Sequence, residues 1–164
     1  MKTSIRLAEA NERNVFDELL QLYLKEIQFF DIKVSSFEGR LIYPYLDHYW
    51  QNPKRSPFLF FKEQQIAGFA LVRTDTDPSN GVPVTEISDF FILNRLRHQG
   101  LGRRMAVRLW EGLPGNWRLE VLKGNREALY FWERTIGQYT GYRFQRNNLT
   151  KSSNIEFLFH NRPH

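Results

Sequence analysis

One junction restricts the fold of this chain more than any other feature. Val84 to Leu93 is an apolar run with polar residues at alternate places, the two-residue period of a strand. It leads directly into Arg95-Leu-Arg-His-Gln-Gly-Leu-Gly-Arg-Arg-Met105. Beyond the glycines Leu101, Met105, Leu109 and Leu113 recur every four residues while Arg104 and Arg108 lie off that stripe, so a helix follows and ends near Leu113-Pro114-Gly115. A strand that turns into a helix through two closely spaced glycines belongs in a layered α/β architecture.

The remaining segments agree with that architecture. Residues 11 to 28 carry Val15, Phe16, Leu19, Leu20, Tyr23 and Ile27 at helical spacing, with Asn11 available as an N-cap. Residues 36 to 50 read as a second, aromatic-rich helical stretch interrupted by Pro44. Residues 57 to 62 and 66 to 73 are apolar, β-rich runs separated by Glu63, Gln64 and Gln65, which predicts a hairpin. The turn formers at 77 to 81 make a loop. Trp117 to Leu122 reads as a short strand, Asn125 to about Ile136 as a helix, and Tyr142 to Gln145 and Ile155 to His160 as two last strands. The expected fold is therefore one α/β domain over 1–164, a mixed sheet flanked by helices.

Composition removes several functions. The chain has 164 residues with 41% hydrophobic and 25% charged, as expected of a folded globule rather than a disordered segment. No run approaches the roughly eighteen apolar residues of a spanning helix. The first residues, MKTSIRLAEANER, are charged where a signal peptide would be apolar, so a cytoplasmic location with no membrane contact is expected. Cysteine is absent, which excludes disulfides, thiolate metal sites and a covalent cysteine intermediate. His48, His98, His160 and His164 form no convincing metal set, so no metal is expected. Arg95, Arg97, Arg103, Arg104 and Arg108 concentrate positive charge around the glycine turn, in a chain of net charge +5. That clustering fits either a solvated helix face or an anionic ligand.

A turn at Gln99, Gly100, Leu101 and Gly102 presents unpaired backbone N–H groups at the positive end of a helix dipole, a ready site for phosphate. Glycine permits close approach and left-handed backbone angles. The segment lacks the Gly-Lys-Ser/Thr end of a nucleoside triphosphate loop, and Met105 occupies the third glycine position of the dinucleotide fingerprint.

In these residues the chain resembles the GCN5-related N-acetyltransferase (GNAT) superfamily, whose cofactor motif R/Q-x-x-G-x-G/A is matched by Arg97, Gly100 and Gly102. SDFFIL at 88 to 93 resembles the strand that carries the pantetheine arm, and Asn125 and Ala128 match the family's N-x-x-A helix. The similarity runs over roughly residues 56 to 146, and within it the chain resembles a bacterial subgroup of unknown substrate. The resemblance implies acetyl-CoA as cosubstrate and an amine as acceptor, joined by direct attack in a ternary complex. It places the amides of Gln99, Gly100, Leu101, Gly102 and Arg103 on the pyrophosphate, with Arg97 and His98 beside them. Ile92 and Leu93 would pair with pantetheine through their main chain, one strand amide would stabilise the developing oxyanion, and Asn125 and Trp132 would meet the cofactor from the next helix.

An acceptor amine of lysine type, with a pKa of about 10.4, must lose a proton, so a base is needed. Asp89 is the first candidate, with a substrate-amine anchor or capped loop residue as its alternative roles. Glu86 is the second; strand alternation predicts that it shares a face with Ser88 and opposes Asp89. The family often has Glu where Ser88 stands, and many relatives place a tyrosine where Trp132 stands to protonate the departing sulfur. Tyr130 is no substitute, because it lies about 140° around the helix from Asn125 whereas Trp132 returns to within about 20°. A thiol of cysteine-like pKa, about 8.5, can leave as thiolate without that acid. Trp132 and Phe131 also read as plain core. Two other classes compete: a catalytically weak CoA-binding regulatory module, suggested by Ser88 and Trp132, and a nucleic-acid binder, disfavoured because residues 94 to 109 contain no stacking aromatic. A homodimer is compatible with the sequence.

Overall fold

The computed structural model describes residues 1–30 and 32–161. The chain begins with β1 (Thr3–Leu7) and α1 (Arg13–Ile27), then forms a small hairpin of β2 (Ser36–Phe37) and β3 (Arg40–Leu41) and a single helical turn, α2 (His48–Gln51). Three long strands follow, β4 (Arg55–Lys62), β5 (Gln65–Thr76) and β6 (Pro83–Ile92). The second half consists of α3 (Leu101–Gly112), β7 (Gly115–Leu122), α4 (Arg126–Thr140), β8 (Gln145–Asn148) and β9 (Asn154–Asn161). Seven strands form one sheet in the order β1-β4-β5-β6-β7-β9-β8, antiparallel throughout except where β6 meets β7. The mixed, mostly antiparallel sheet flanked by helices is the architecture read from the sequence.

Helices cover both faces. On one, Met105 and Leu109 of α3 and Trp132 and Ile136 of α4 pack on Phe60, Val72, Ile87, Leu119 and Phe157 of the sheet. On the other, Phe16, Leu20 and Leu24 of α1 pack on Leu59, Phe69, Leu71 and Phe91. The central strand β5 is covered on both sides, so Ala67 to Val72 are all buried, and its sequence is a continuous apolar run rather than an alternating one.

Three local expectations are corrected, and one strand was not foreseen. Asn11 does not cap α1; it lies inside a 3-10 turn, Ala10–Glu12, because the Glu12 carboxylate accepts the Glu9 amide at 2.9 Å and delays the helix to Arg13. The predicted helix over 36 to 50 is a hairpin, since Glu38 (φ 49) and Gly39 (φ 78) adopt consecutive left-handed conformations that reverse the chain. Tyr45, at φ 63 directly after Pro44, leaves room only for the short α2. After α4, Gly141 (φ 63) and Tyr142 (φ 65) close the helix with a Tyr142 N–H to Gly137 bond of 2.7 Å, which pushes the following strand from 142–145 to Gln145–Asn148. β1, which the sequence reading missed, is an edge strand whose apolar signal is weak because only Thr3 of its five residues is buried.

Two irregularities in β6 position the site. Leu71 pairs with Asp89 and Val72 with Ile87, so Ser88 is the extra residue of a β-bulge. The parallel ladder with β7 joins only Val84, Thr85 and Glu86 to Asn116, Trp117 and Arg118. Beyond Glu86 the two strands part, and β6 continues to Ile92 along an opening on its β7 side.

The far end of β6 is held by close backbone packing against β5. A Cβ built on Gly68 would stand 2.0 Å from the Phe91 carbonyl oxygen. Gly68→Ala is therefore expected to destabilise the fold by about 1–3 kcal/mol or more, measured as a lower urea midpoint, with no comparable effect of the same change at the unobstructed Gly112 beyond helix propensity.

Candidate active site

The glycine turn is built as a cradle. A short 3-10 turn, Asn94–Leu96, carries the chain from β6 to Arg97; His98 then takes φ 62 and Gly100 φ 78, and α3 begins at Leu101. Gly100 stands at the N-cap position without any side-chain cap, so the amides of the first helical turn lack side-chain acceptors. A Cβ at Gly100 would meet nothing within 4 Å, so the space in front of the turn is open. Gly102 has a different reason to be glycine: a Cβ there would lie 3.1 Å from the Phe131 ring of α4. Its smallness lets α4 approach α3.

Cations surround this turn. Arg103 and Arg104 are exposed, and Lys62, at the end of β4, donates to the Gln99 side chain at 2.9 Å; the exposed His98 ring lies beside them. Lys62 is distant in sequence from the motif, so only the β4–β5 register brings it there. Arg97 behaves differently: its guanidinium donates to the Ile92 carbonyl (2.8 Å) and to both oxygens of Glu26 on α1 (3.0 and 2.8 Å). An open glycine cradle, bare helix amides and flanking positive charge suit a pyrophosphate.

Along β6, the Leu93 amide is engaged by Ala67 of β5 at 2.8 Å. Because antiparallel ladders alternate, Ile92 and Phe90 direct their main-chain N–H groups away from β5, toward the opening beside β7. Asn125 caps α4, its Oδ1 accepting the Ala128 amide at 3.1 Å. Trp132 is buried among Phe90, Phe131 and Trp110, ring to ring at 4.9, 4.9 and 6.3 Å, and stands in the core. Tyr130 is exposed, and Tyr139 is engaged with Asn161 at 2.9 Å.

The two carboxylates do not oppose each other as strand alternation predicts. Asp89 sits across from Leu71 and Glu86 across from Arg73, and Leu71 and Arg73 share a face of β5. The extra residue at Ser88 resets the alternation, so both carboxylates face the α1 side. Their surroundings differ. Glu86 Oε2 accepts from Arg118 at 2.7 Å and Arg73 at 3.4 Å. Arg118 also binds Glu156 at 2.6 Å and Glu120 at 2.5 Å. Burial disfavours the Arg118 charge, yet these three carboxylates hold its pKa above that of an ordinary arginine.

Asp89 is met by hydroxyls instead. Tyr23 of α1 donates to its Oδ1 at 2.6 Å, and Tyr43, from the segment after β3, donates to its Oδ2. Desolvation lifts the carboxyl to about 6 from an ordinary 3.8, opposed by the two hydroxyls and by Arg73 and assisted by the charge of Glu86. Both tyrosines are pushed up in turn, by burial first and by the Asp89 charge second. Neither tyrosine was singled out from the sequence, because nothing along the chain joins positions 23, 43 and 89. Among the described residues no cluster of three or more histidine, cysteine, aspartate or glutamate side chains is placed to hold a metal; His164 lies outside them. A groove of about 580 Å³ between α1 and the β2–β3 hairpin is lined by no residue of β6 and meets only Leu93 just beyond it.

A model of the acetyltransferase (GNAT) family matches residues 17–138. A curated protein, the N-terminal acetyltransferase A complex catalytic subunit ard1 of Schizosaccharomyces pombe, is 25% identical over 97 residues, 56% of this chain and 55% of that protein. The chain thus spans about half the length of the curated relative it matches. Among solved structures, an acetyltransferase from Thermus thermophilus superposes with a TM-score of 0.71 at 15% identity, covering 98% of this chain and 97% of the other. Arabidopsis thaliana NAA60 in complex with a bisubstrate analogue gives 0.62 at 12% identity, covering 97% and 98%.

The Asp89 environment has a thermodynamic consequence. Its folded pKa, about 6, is raised above the ordinary 3.8, so its contribution to stability is fully present below about pH 4 and lost as pH rises through 6. The stability difference between the wild type and Asp89→Asn, followed by urea unfolding, should fall by up to about 3 kcal/mol between pH 4 and 6 and stay flat above. A difference that is level across that window would refute the burial account.

Proposed function

This chain belongs to the acetyltransferase (GNAT) family, and on that footing we propose that it transfers the acetyl group of acetyl-CoA to an amine by direct attack in a ternary complex. The observation that carries the reading is the coincidence of two features on one strand. β6 separates from β7 beyond Glu86, and the same strand leads into an open glycine cradle at the head of α3.

The amides of Gln99 to Arg103 would hold the pyrophosphate, with Lys62, Arg103 and Arg104 adding positive charge and His98 beside them. The free edge of β6, through the main chain of Ile92 and its neighbour Phe90, would align the pantetheine arm. An N–H of the same edge would face the acyl oxygen as it gains negative charge. Asn125, at the head of α4, would meet the cofactor arm from that helix. When bound, acetyl-CoA supplies an activated acyl carbon and a thiol able to depart as thiolate, which suits a chain that has Trp132 in the core and no tyrosine at that position.

Asp89 is assigned the proton acceptor. Its lifted pKa leaves it ionised yet basic near neutrality, whereas Glu86 is already committed to Arg118 and Arg73 and acts as a structural partner. Residues 1–164 are read as one acetyltransferase domain working in the cytoplasm. Among the described residues no helix is long and apolar enough to cross a membrane.

The test is thiol release from acetyl-CoA over a panel of amines. With an accepted amine, kcat/KM of the wild type is expected to fall on acidification below about pH 6. Asp89→Asn is expected to lower kcat by about 10²- to 10⁴-fold and to lose that acidic limb. Absence of turnover with every amine, together with no rise in Tm on adding acetyl-CoA, would remove the proposal.

A further inference from the structure

The basic residue of the glycine motif does not extend over the cradle. The Arg97 guanidinium is occupied on three sides: its Nε donates to the Ile92 carbonyl at 2.8 Å, its Nη2 reaches both Glu26 oxygens at 3.0 and 2.8 Å, and its carbon lies 5.3 Å over the Phe91 ring. As a source of stability such a pair is modest, because the side chains are 27% and 40% exposed. Its geometric effect is larger. A planar guanidinium that serves a carbonyl and a carboxylate at once fixes its own backbone in place, which a flexible lysine would not do.

That backbone needs fixing. Arg97 is followed by His98 at φ 62, a conformation unfavourable for a residue with a Cβ, and by Gly100 at φ 78, and α3 has no side-chain cap to anchor its first turn. The turn is held on one side by Lys62 on Gln99 and on the other by Arg97. Glu26 stands near the end of α1, which covers the sheet face opposite α3 and α4. The clamp therefore passes round the end of β6 and joins the two sides of the sheet.

We infer that Glu26 is a positioning residue for the phosphate-binding turn, acting through Arg97, so that the shape of the acetyl-CoA site is set from the α1 side of the sheet. This rests on the acetyl-CoA reading above. Glu26 holds only Nη2, while the bond to the Ile92 carbonyl is made by Nε, so the effect assigned to Glu26 is on the pyrophosphate turn and not on the strand beside the acyl end.

The experiment compares two acyl donors. Glu26→Gln should leave the unliganded Tm within about 2 °C of wild type. It should raise the Kd for acetyl-CoA by calorimetry, and the KM in turnover, roughly tenfold with kcat unchanged. S-acetylpantetheine lacks the pyrophosphate, and its kcat/KM should be the same for the variant and the wild type. Arg97→Lys, which also loses the bond to the Ile92 carbonyl, should raise the acetyl-CoA Kd at least as much, and the double substitution should be no worse than Arg97→Lys alone. A Glu26→Gln protein that binds acetyl-CoA as tightly as wild type, or more tightly because Arg97 is released toward the phosphates, overturns the inference. Equal loss with both donors overturns it too, since the effect would then not be confined to the turn. Failure of the unsubstituted protein to bind acetyl-CoA is a separate result that removes the parent reading instead.

Discussion

The structure turns on the point where the β6–β7 ladder stops. Parallel strands normally satisfy each other's main chain along their length, and buried unpaired N–H and C=O groups are costly. Here only three residue pairs are joined before the strands diverge, so the rest of β6 keeps a row of main-chain groups directed at an opening. The divergence survives because both strands are secured elsewhere. β5 holds β6 on its other edge down to Leu93, β9 pairs with β7 along its whole length, and two apolar layers press on the sheet from either side. The opening is thus a defect that the surrounding packing keeps in place.

The bulge at Ser88 does comparable work for the side chains. Without it Asp89 would point to the α3–α4 side and Glu86 to the α1 side. With it both face α1, where tyrosine hydroxyls meet one carboxylate and guanidiniums the other. Two acids three positions apart are thereby given unlike chemistry: Glu86 is fixed in a network of opposite charges, while Asp89 is desolvated and lifted toward neutrality. The Arg118 cluster also ties β7 to β6 through Glu86 and to β9 through Glu156 at the last joined pair of the ladder, where the divergence begins.

Much of this was legible along the chain. The β6–turn–α3 junction was visible because hydrophobic period changes from two to nearly four across a glycine pair, and the long strands and the two C-terminal helices were readable for the same reason. The hairpin at 36–41 was not, because the aromatic residues that follow it, Tyr43 to Trp50, imitate a helical stripe and only the left-handed pair Glu38 and Gly39 shows that the chain reverses. The bulge was invisible in principle, since it is a property of the register between two strands and alternates correctly in either one alone. The partners Tyr23, Tyr43, Glu26 and Lys62 lie far along the chain from the residues they serve, and only the assembled sheet brings them to Asp89, Arg97 and Gln99.

Asp89 is also the knot that ties α1 to the segment after β3, since one of its oxygens receives each element's tyrosine. A carboxylate can satisfy both donors, but a carboxylic acid cannot do so without change: the oxygen that gains hydrogen becomes a donor, and the phenol facing it has to rotate its own hydrogen away. Each uptake of a proton at this position would therefore exchange one charge-assisted bond for a neutral one of opposite direction. The protonation state of the buried group and the sense of the bonds that fasten its cover are, by construction, linked.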